Sequence, residues 1–470
     1  MKGLTFLHRW LGVVLGLFFA MWFLSGMVMM YVPFPSLQEN VRLTSLSNID
    51  TKAMTVPTDT VITACGKNEI KALRVISIDA RPAYICNYKS PKVKAVYADD
   101  GSRVPPRDQM SVRQQLEQTT NKPLKLITLV EYDQWTVHQK FDAQRPMYRV
   151  ELADSDETHL YFSSITGELI QLTTGTQRFW NYLGAVVHWI YPTILRKHWA
   201  LWDMVVWWLS LFGILCAVIG VYLGVVHFKK IRHLRQGALS PFRGWMKWHH
   251  ILGLFAGFII VSWIVSGWLS MDHGRLFSTP NPTMEQVKAI QGGSFGEVSS
   301  KTSFEDLPEY PTLREIKIHA FGGEPIIVLS SKHETIKTPV LEPSLVSAVV
   351  SSAFPKANIE KWSIVPPGDT YTALREGTLP PGTIRVKLSD KDETWLHIDS
   401  RSGEILSVID RSRRLYRWLY NGLHSLDIPG LANRRPLWDI VMLVLLLAGF
   451  ITSSTGVVIG MKRALSLGSK

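Results

Sequence analysis

Several features common among enzymes and pumps are missing from this chain, and each absence removes a class of function. No Gly-x-Gly-x-x-Gly follows a β-type stretch, so there is no sign of a nicotinamide-binding domain. No Gly-Lys-Ser/Thr loop occurs, which argues against an ATP-driven pump. Acidic residues are absent from His227–His250, although that segment carries Lys229, Lys230, Arg232, Arg235, Arg243 and Lys247. Only three cysteines are present. Cys65 and Cys86 could pair in an oxidising compartment or remain two thiols, and Cys216 lies in an apolar run, where packing explains it.

Hydrophobic sequence is abundant. Four apolar runs, about Leu11–Val32, Leu201–Phe228, Ile251–Met271 and Leu437–Met461, each reach the roughly 20 residues that cross a bilayer. The first is too long for a signal peptide and has no small-residue cleavage site before Pro33 and Pro35, so it reads as an uncleaved span. The basic loop Phe228–Trp248, the tail with Lys462, Arg463 and Lys470, and the amino terminus with Lys2 and Arg9 then share one side. Positive-inside bias makes that side cytoplasmic and turns the long segments outward. The net charge of +12 is accounted for by this topology and does not require a nucleic-acid partner. The expected organisation is a span over 1–32, an outer domain over 33–178, a short interface helix over 179–200 and a span over 201–228. A basic loop over 229–248, a span over 249–271, an outer domain over 272–414, an interface helix over 415–436, a span over 437–461 and a tail over 462–470 complete it.

The chain also repeats itself. His8-Arg-Trp-Leu-Gly12 with Gly16, Trp22, Ser25 and Gly26 returns as His249-His-Ile-Leu-Gly253 with Gly257, Trp263, Ser266 and Gly267. Arg149–Asp203 then aligns without a gap to Arg385–Asp439, matching Gly167-Glu168 to Gly403-Glu404, Arg178 to Arg414 and His188 to His424. Gly220 matches Gly456 further on. Each unit contains two spans, so both insert the same way up, and equivalent residues lie at equal depth. The outer segments read as α+β modules. Tyr148–Leu152, Leu160–Ser163 and the Thr166-Gly-Glu turn recur as Ile384–Leu388, Trp395–Ile398 and Ser402-Gly-Glu, each set preceded by a helical stretch, about Arg107–Thr119 and Glu342–Phe354. Fainter strands at Leu73–Ile78 and Ala83–Asn87 have a counterpart in Thr312–His319 and Pro325–Leu329.

With these motifs the chain resembles the PepSY-associated transmembrane family along essentially its whole length. The resemblance rests on His8/Gly12 and His249/Gly253 opening two spans, on the Thr166-Gly-Glu and Ser402-Gly-Glu turns, and on Val187-His188 and Leu423-His424 before the returning spans. His188, flanked by Val187, Trp189 and Ile190, departs from the family's Leu-His-x-Gly pattern. The resemblance implies an α-helical membrane protein of four transmembrane helices with a parallel internal duplication and periplasmic α+β PepSY-like domains. It further implies a bacterial inner-membrane haem protein that reduces ferric iron or a ferric siderophore, most similar to the VciB type linked to ferrous-iron supply.

Haem can also be argued from the residues. Imidazole is a common axial ligand of haem iron, and polar groups in membrane segments are costly enough to suggest function. His8 and His249 share a depth near the inner face, and His188 and His424 share one near the outer face, as two bis-histidine haems would need. Each histidine taken alone is better explained as an interfacial residue, and it is the duplication, which brings a partner to matching depth, that raises the ligand reading. Absence of Cys-x-x-Cys-His makes the implied cofactor haem b, one or two per chain, with quinol or a cytoplasmic reductase as donor. His227 is a rival inner ligand whose repeat counterpart is Arg463, and His250 lies beside His249 but about 100° around the helix. His198 and His233 read as solvated; His138, His159, His273, His319, His333 and His397 show no close metal-ligand spacing and read mostly as surface residues, one of which could help hold ferric iron. Arg178 and Arg414 could pair with haem propionates or with lipid phosphate, Gly12, Gly16, Gly253 and Gly257 allow close packing or room for a macrocycle, Trp22 and Trp263 lie mid-span where they could pack against a cofactor, and Asp203 and Asp439 favour helix starts.

The leading expectation is a ferric reductase working with a ferrous-iron transporter; a homodimer is compatible with it. A transporter would need polar groups mid-span, which are scarce here. A non-redox module binding a peptide partner would leave four aligned histidines unexplained.

Overall fold

The computed structural model describes residues 1–120, 122–234, 237–272, 276–305, 307–332, 335–337, 340–372 and 379–468. Among the described residues four helices are long and apolar enough to cross a membrane: Lys2–Met29, Trp199–Leu234, Gly244–Ser270 and Leu437–Gly468. They are the first to fourth spans below. The first and third begin earlier than the hydrophobic runs do, because hydropathy marks only the apolar part of a helix whose basic and aromatic ends sit comfortably at an interface. His8 and His249 therefore lie inside their helices, not at the first turn. The first span stops at Met29, ahead of Pro33 and Pro35, which cannot continue a helix.

The first span packs against the fourth and the second, and the third packs against the same two. First and third thus occupy one diagonal of a four-helix ring. Leu15, Phe19, Phe23, Ile260, Trp263, Trp438 and Met442 fill its middle. In lipid this association depends on close packing more than on expelling water, so small residues matter. A Cβ on Gly449 would lie 2.6 Å from the Phe23 ring, and one on Gly257 2.6 Å from Val221.

Strands β1 (Ile70–Ile78), β2 (Arg81–Tyr88) and β3 (Val93–Tyr97) follow the first span, then β4 (Leu124–Val130), β5 (Met147–Leu152), β6 (His159–Ser163) and β7 (Leu169–Thr173). After the third span come β8 (Leu313–Phe321), β9 (Glu324–Ser331) and β10 (Thr335–Lys337), then β11 (Ile359–Ile364), β12 (Ile384–Leu388), β13 (Trp395–Ile398) and β14 (Ile405–Ile409). β4–β7 form one four-stranded antiparallel sheet and β11–β14 another. Helix Gln109–Thr119, capped by Asp108, lays Val112 and Leu116 on the first; helix Pro343–Ala353 lays Val346 and Val350 on the second. The fainter strands do not make two further modules. They merge into one six-stranded sheet, β10-β9-β8-β1-β2-β3, in which Leu73 lies opposite Ile318 and Val75 opposite Ile316. β1, β2 and β8 bury apolar residues such as Leu73, Tyr84 and Ile316 in one core, and pairing β1 with β8 buries both edges at once. Cys65 and Cys86 are disulfide-bonded beneath this sheet.

The glutamates of the two glycine turns clamp the modules to this sheet. Gly167 (φ +73°) and Gly403 (φ +72°) adopt the left-handed geometry the tight turn requires. Glu168, buried, accepts two 2.6 Å hydrogen bonds from Arg74, and Arg74 and Arg42 share the fully buried Glu315 at 3.1 and 2.5 Å. Burial alone would raise the Glu315 carboxyl, but hydrogen bonding and charge from Arg42, with Arg74 and Lys317, hold it below its ordinary value. Glu404 lies 3.4 Å from His319 of the shared sheet.

Candidate cofactor site

Two histidine pairs cross the helical bundle, one toward each end. His8 of the first span and His249 of the third have ring centres 6.3 Å apart. His8 Nδ1 lies 3.0 Å from the Cys216 carbonyl of the second span; His249 Nδ1 lies 3.2 Å from the Thr452 carbonyl of the fourth. A carbonyl only accepts, so Nδ1 carries the hydrogen in both rings and Nε2 is the bare lone pair. No hydrogen bond to either Nε2 is formed among the described residues. Space is made for the rings by glycine. A Cβ on Gly220 would lie 2.5 Å from His8 Cε1, and one on Gly456 3.2 Å from His249 Cε1. One turn along from each histidine, a Cβ on Gly12 or Gly253 would meet nothing within 4 Å.

Near the sheets, His188 and His424 stand 6.4 Å apart between ring centres. Each follows a short helix whose last turn widens into a π-helix, Tyr182–Val186 and Trp418–Gly422, a distortion found often at functional sites. Two residues beyond each histidine, Ile190 (φ +51°) and Leu426 (φ +47°) turn the chain back through the left-handed region. That conformation is costly for a branched side chain such as Ile190, so packing must impose it.

The Trp-x-x-Ser-Gly part of the repeat explains how these turns are held. Trp22 Nε1 donates to the His188 carbonyl at 2.9 Å, and Trp263 Nε1 to the Leu423 carbonyl at 3.1 Å. Ser25 Oγ lies 3.0 Å from His188 Nδ1 and Ser266 Oγ 3.1 Å from His424 Nδ1. Each serine already spends its own hydrogen on a carbonyl of its helix, Met21 or Trp263, so it accepts from the imidazole. All four rings thus have the same tautomer: Nδ1–H tied to a partner, Nε2 free to bind. Ser25 and Ser266 had no role assignable from sequence, and Trp22 and Trp263 turn out to grip backbone. Their signal was the repeated spacing itself.

The remaining candidates lie elsewhere. Arg178 donates to the Glu157 carbonyl and to Thr173, and Arg414 to the Glu393 carbonyl and carboxylate, so both brace turns of the sheet modules. His227 neighbours His250 and Phe242. His397 is fully buried, accepting from Arg385 Nε at 2.8 Å and lying 2.7 Å from Ser407 Oγ. Burial, then the Arg385 charge, pushes its imidazole down to about 4. His138 accepts from the Lys140 amide, His159 lines a polar hollow with Arg178, and His198 and His233 are exposed. His273 and His333 lie outside the described residues. Asp439 pairs with Arg435 in the first turn of the fourth span, and Asp203 is buried in the second. Among the described residues no three His, Cys, Asp or Glu side chains cluster as a metal site.

A whole-chain pattern matches this arrangement. The model of the PepSY-associated TM region matches residues 5–463. The chain belongs to that family. The match embraces all four spans, both histidine pairs and all three sheets, and it gives the family without a subgroup inside it. No curated protein and no solved structure matches the chain.

Proposed function

We propose that the protein is a haem-containing ferric reductase of the bacterial inner membrane, built from two copies of one unit. The observation that carries this reading is the pair of matched imidazole couples. Imidazole nitrogens bind metals at about 2 Å, so two rings on opposite faces of one iron have centres roughly 6 to 6.5 Å apart. The observed separations, 6.3 and 6.4 Å, fit that requirement at both ends of the bundle. So does the tautomer, since metal-binding histidines donate their other N–H to a carbonyl or similar acceptor. The open space at Gly12 and Gly253 suits a flat macrocycle beside the inner pair.

His8 and His249 would hold one haem b and His188 and His424 the other. Bound haem would supply one-electron chemistry, with a potential tuned by the imidazoles that hold it and by their hydrogen bonds. The chain's own residues keep four imidazoles neutral and oriented, and pack Phe19, Phe23 and Trp263 between the sites so that water is kept out. Ser25 follows His8 by 17 residues, so the sites are roughly 25 Å apart along the helix, close to the thickness of the hydrocarbon core. The disulfide supports an oxidising, periplasmic location for the sheets, and the basic loop a cytoplasmic one for the opposite end. Ferric iron or a ferric siderophore is the substrate reduced on the sheet side.

The test is the visible spectrum of the purified protein. A Soret band that shifts with dithionite, with sharp α-bands, is expected; a colourless preparation from haem-sufficient cells defeats the reading.

A further inference from the structure

A third imidazole couple lies between the second and third spans, near the loop end, and it has the opposite polarity. His250 is 7% exposed, and its Nε2 lies 3.0 Å from the Gly224 carbonyl. The carbonyl accepts, so here Nε2 carries the hydrogen and Nδ1 is the bare lone pair. That Nδ1 is buried with no hydrogen-bond partner among the described residues. The His227 ring centre is 6.5 Å away, and the Phe242 ring sits edge-on to both, 5.2 Å from His227 and 5.4 Å from His250.

A buried acceptor without a donor is costly, so the site calls for a ligand that brings an O–H or N–H. A third haem fits poorly. The free nitrogen is Nδ1, adjacent to the ring carbon that bears the side chain, where a flat macrocycle meets more obstruction than a hydroxyl does. The position narrows the ligand further. Lys229 and Lys230 follow His227 and Lys247 precedes His250, which places the couple at the interfacial edge of both spans. Trp245 and Trp248, both strongly exposed, mark an interfacial belt beside them. A small aromatic diol on a lipid tail is held at this interface by its tail; a nicotinamide or flavin in water has no such anchor.

We propose that His250, with His227 and Phe242, forms a binding site for the head group of a membrane hydroquinone. One hydroxyl donates to His250 Nδ1, Phe242 packs on the ring, and His227 meets the second hydroxyl. The oxidised quinone has no hydroxyl to donate, so the site holds the reduced form and lets the oxidised form go. The inference rests on the proposed function only for the reason a donor should dock there.

Binding to the full-length protein, pre-reduced with dithionite in detergent, can be measured calorimetrically with menadiol and with its dimethyl ether, which keeps the ring but lacks both donors. Menadiol is expected to bind about tenfold or more tightly than the ether, as one lost hydrogen bond of roughly 1.4 kcal/mol implies. His250→Leu should abolish that preference, and Phe242→Ala should weaken both ligands while keeping it. Equal binding of the two probes, or a preference that survives His250→Leu, overturns the site, as does loss of Soret absorbance in His250→Leu. Should His250→Leu fail to fold, His227→Leu decides by the same comparison: a menadiol preference left undiminished overturns the site. A colourless protein that still prefers menadiol keeps this site and defeats the haem reading; a haem-loaded protein without the preference does the reverse.

Discussion

Adding one methyl group at Gly220 separates ring placement from folding. A Cβ there would lie 2.5 Å from His8 Cε1, whereas ordinary van der Waals contact begins near 3.4 Å, so the ring must retreat by about 0.9 Å. Because the clash is with the far end of a side chain, His8 can swing away at little cost to the fold. The same swing is ruinous for ligation, where donors must be held within about 0.5 Å of their working geometry. Gly456→Ala supplies a graded control. Its Cβ would stand 3.2 Å from His249 Cε1 and asks for only a few tenths of an ångström. Gly220→Ala is therefore expected to lose most inner-site haem, roughly a 10- to 100-fold loss of affinity, the scale seen when the groups supporting a metal ligand are disturbed. Gly456→Ala should lose much less, and both should melt within a few degrees of wild type. The assay is haem per protein by pyridine haemochrome, alongside thermal unfolding. Equal haem in Gly220→Ala and wild type refutes the argument; so does equal loss in both variants.

Other predictions address the remaining layers. Ser25→Ala and Ser266→Ala each strip an acceptor from a sheet-end imidazole, and should weaken haem there by about 10- to 100-fold and shift its midpoint potential in a redox titration, leaving the inner site intact. Glu315→Gln leaves Arg42 and Arg74 facing a neutral group in a buried cluster and should cost about 3–5 kcal/mol in denaturant unfolding of the sheet region; a loss below 1 kcal/mol would show that Glu39 and Glu168 suffice. His397 has its imidazole depressed to about 4 from 6.5, so the unfolded chain binds its proton first as pH falls. Stability contributed by the neutral ring is whole above pH 6.5, declines between 6.5 and 4 by up to about 3 kcal/mol, and is lost below. His397→Gln should flatten the melting temperature of the β11–β14 sheet across that window, and an unchanged slope would count against this assignment.

Much of this molecule could be read from residue order because period and composition report local geometry. Apolar length marked the four spans, Gly167 and Gly403 announced tight turns, and the recurrence of His-x-x-x-Gly and Trp-x-x-Ser-Gly singled out the residues that meet at the two imidazole couples. What residue order could not convey was which surface faces which. Nothing in β1 or β8 alone says that they pair across some 240 residues, since an apolar strand accepts any partner that covers its open edge. Arg178 and Arg414 showed the same limit: a cation near a membrane face has several acceptors within reach, and the fold directs both to turns of the sheet modules. His249 and His250 differ by one position and 100°, and helix packing alone sends one to a couple with Nε2 free and the other to a couple with Nδ1 free. Chain order therefore determined the elements and the chemistry they carry. Tertiary structure decided the partner of each ring and the tautomer that partner imposes, because a hydrogen bond depends on an acceptor brought from another helix.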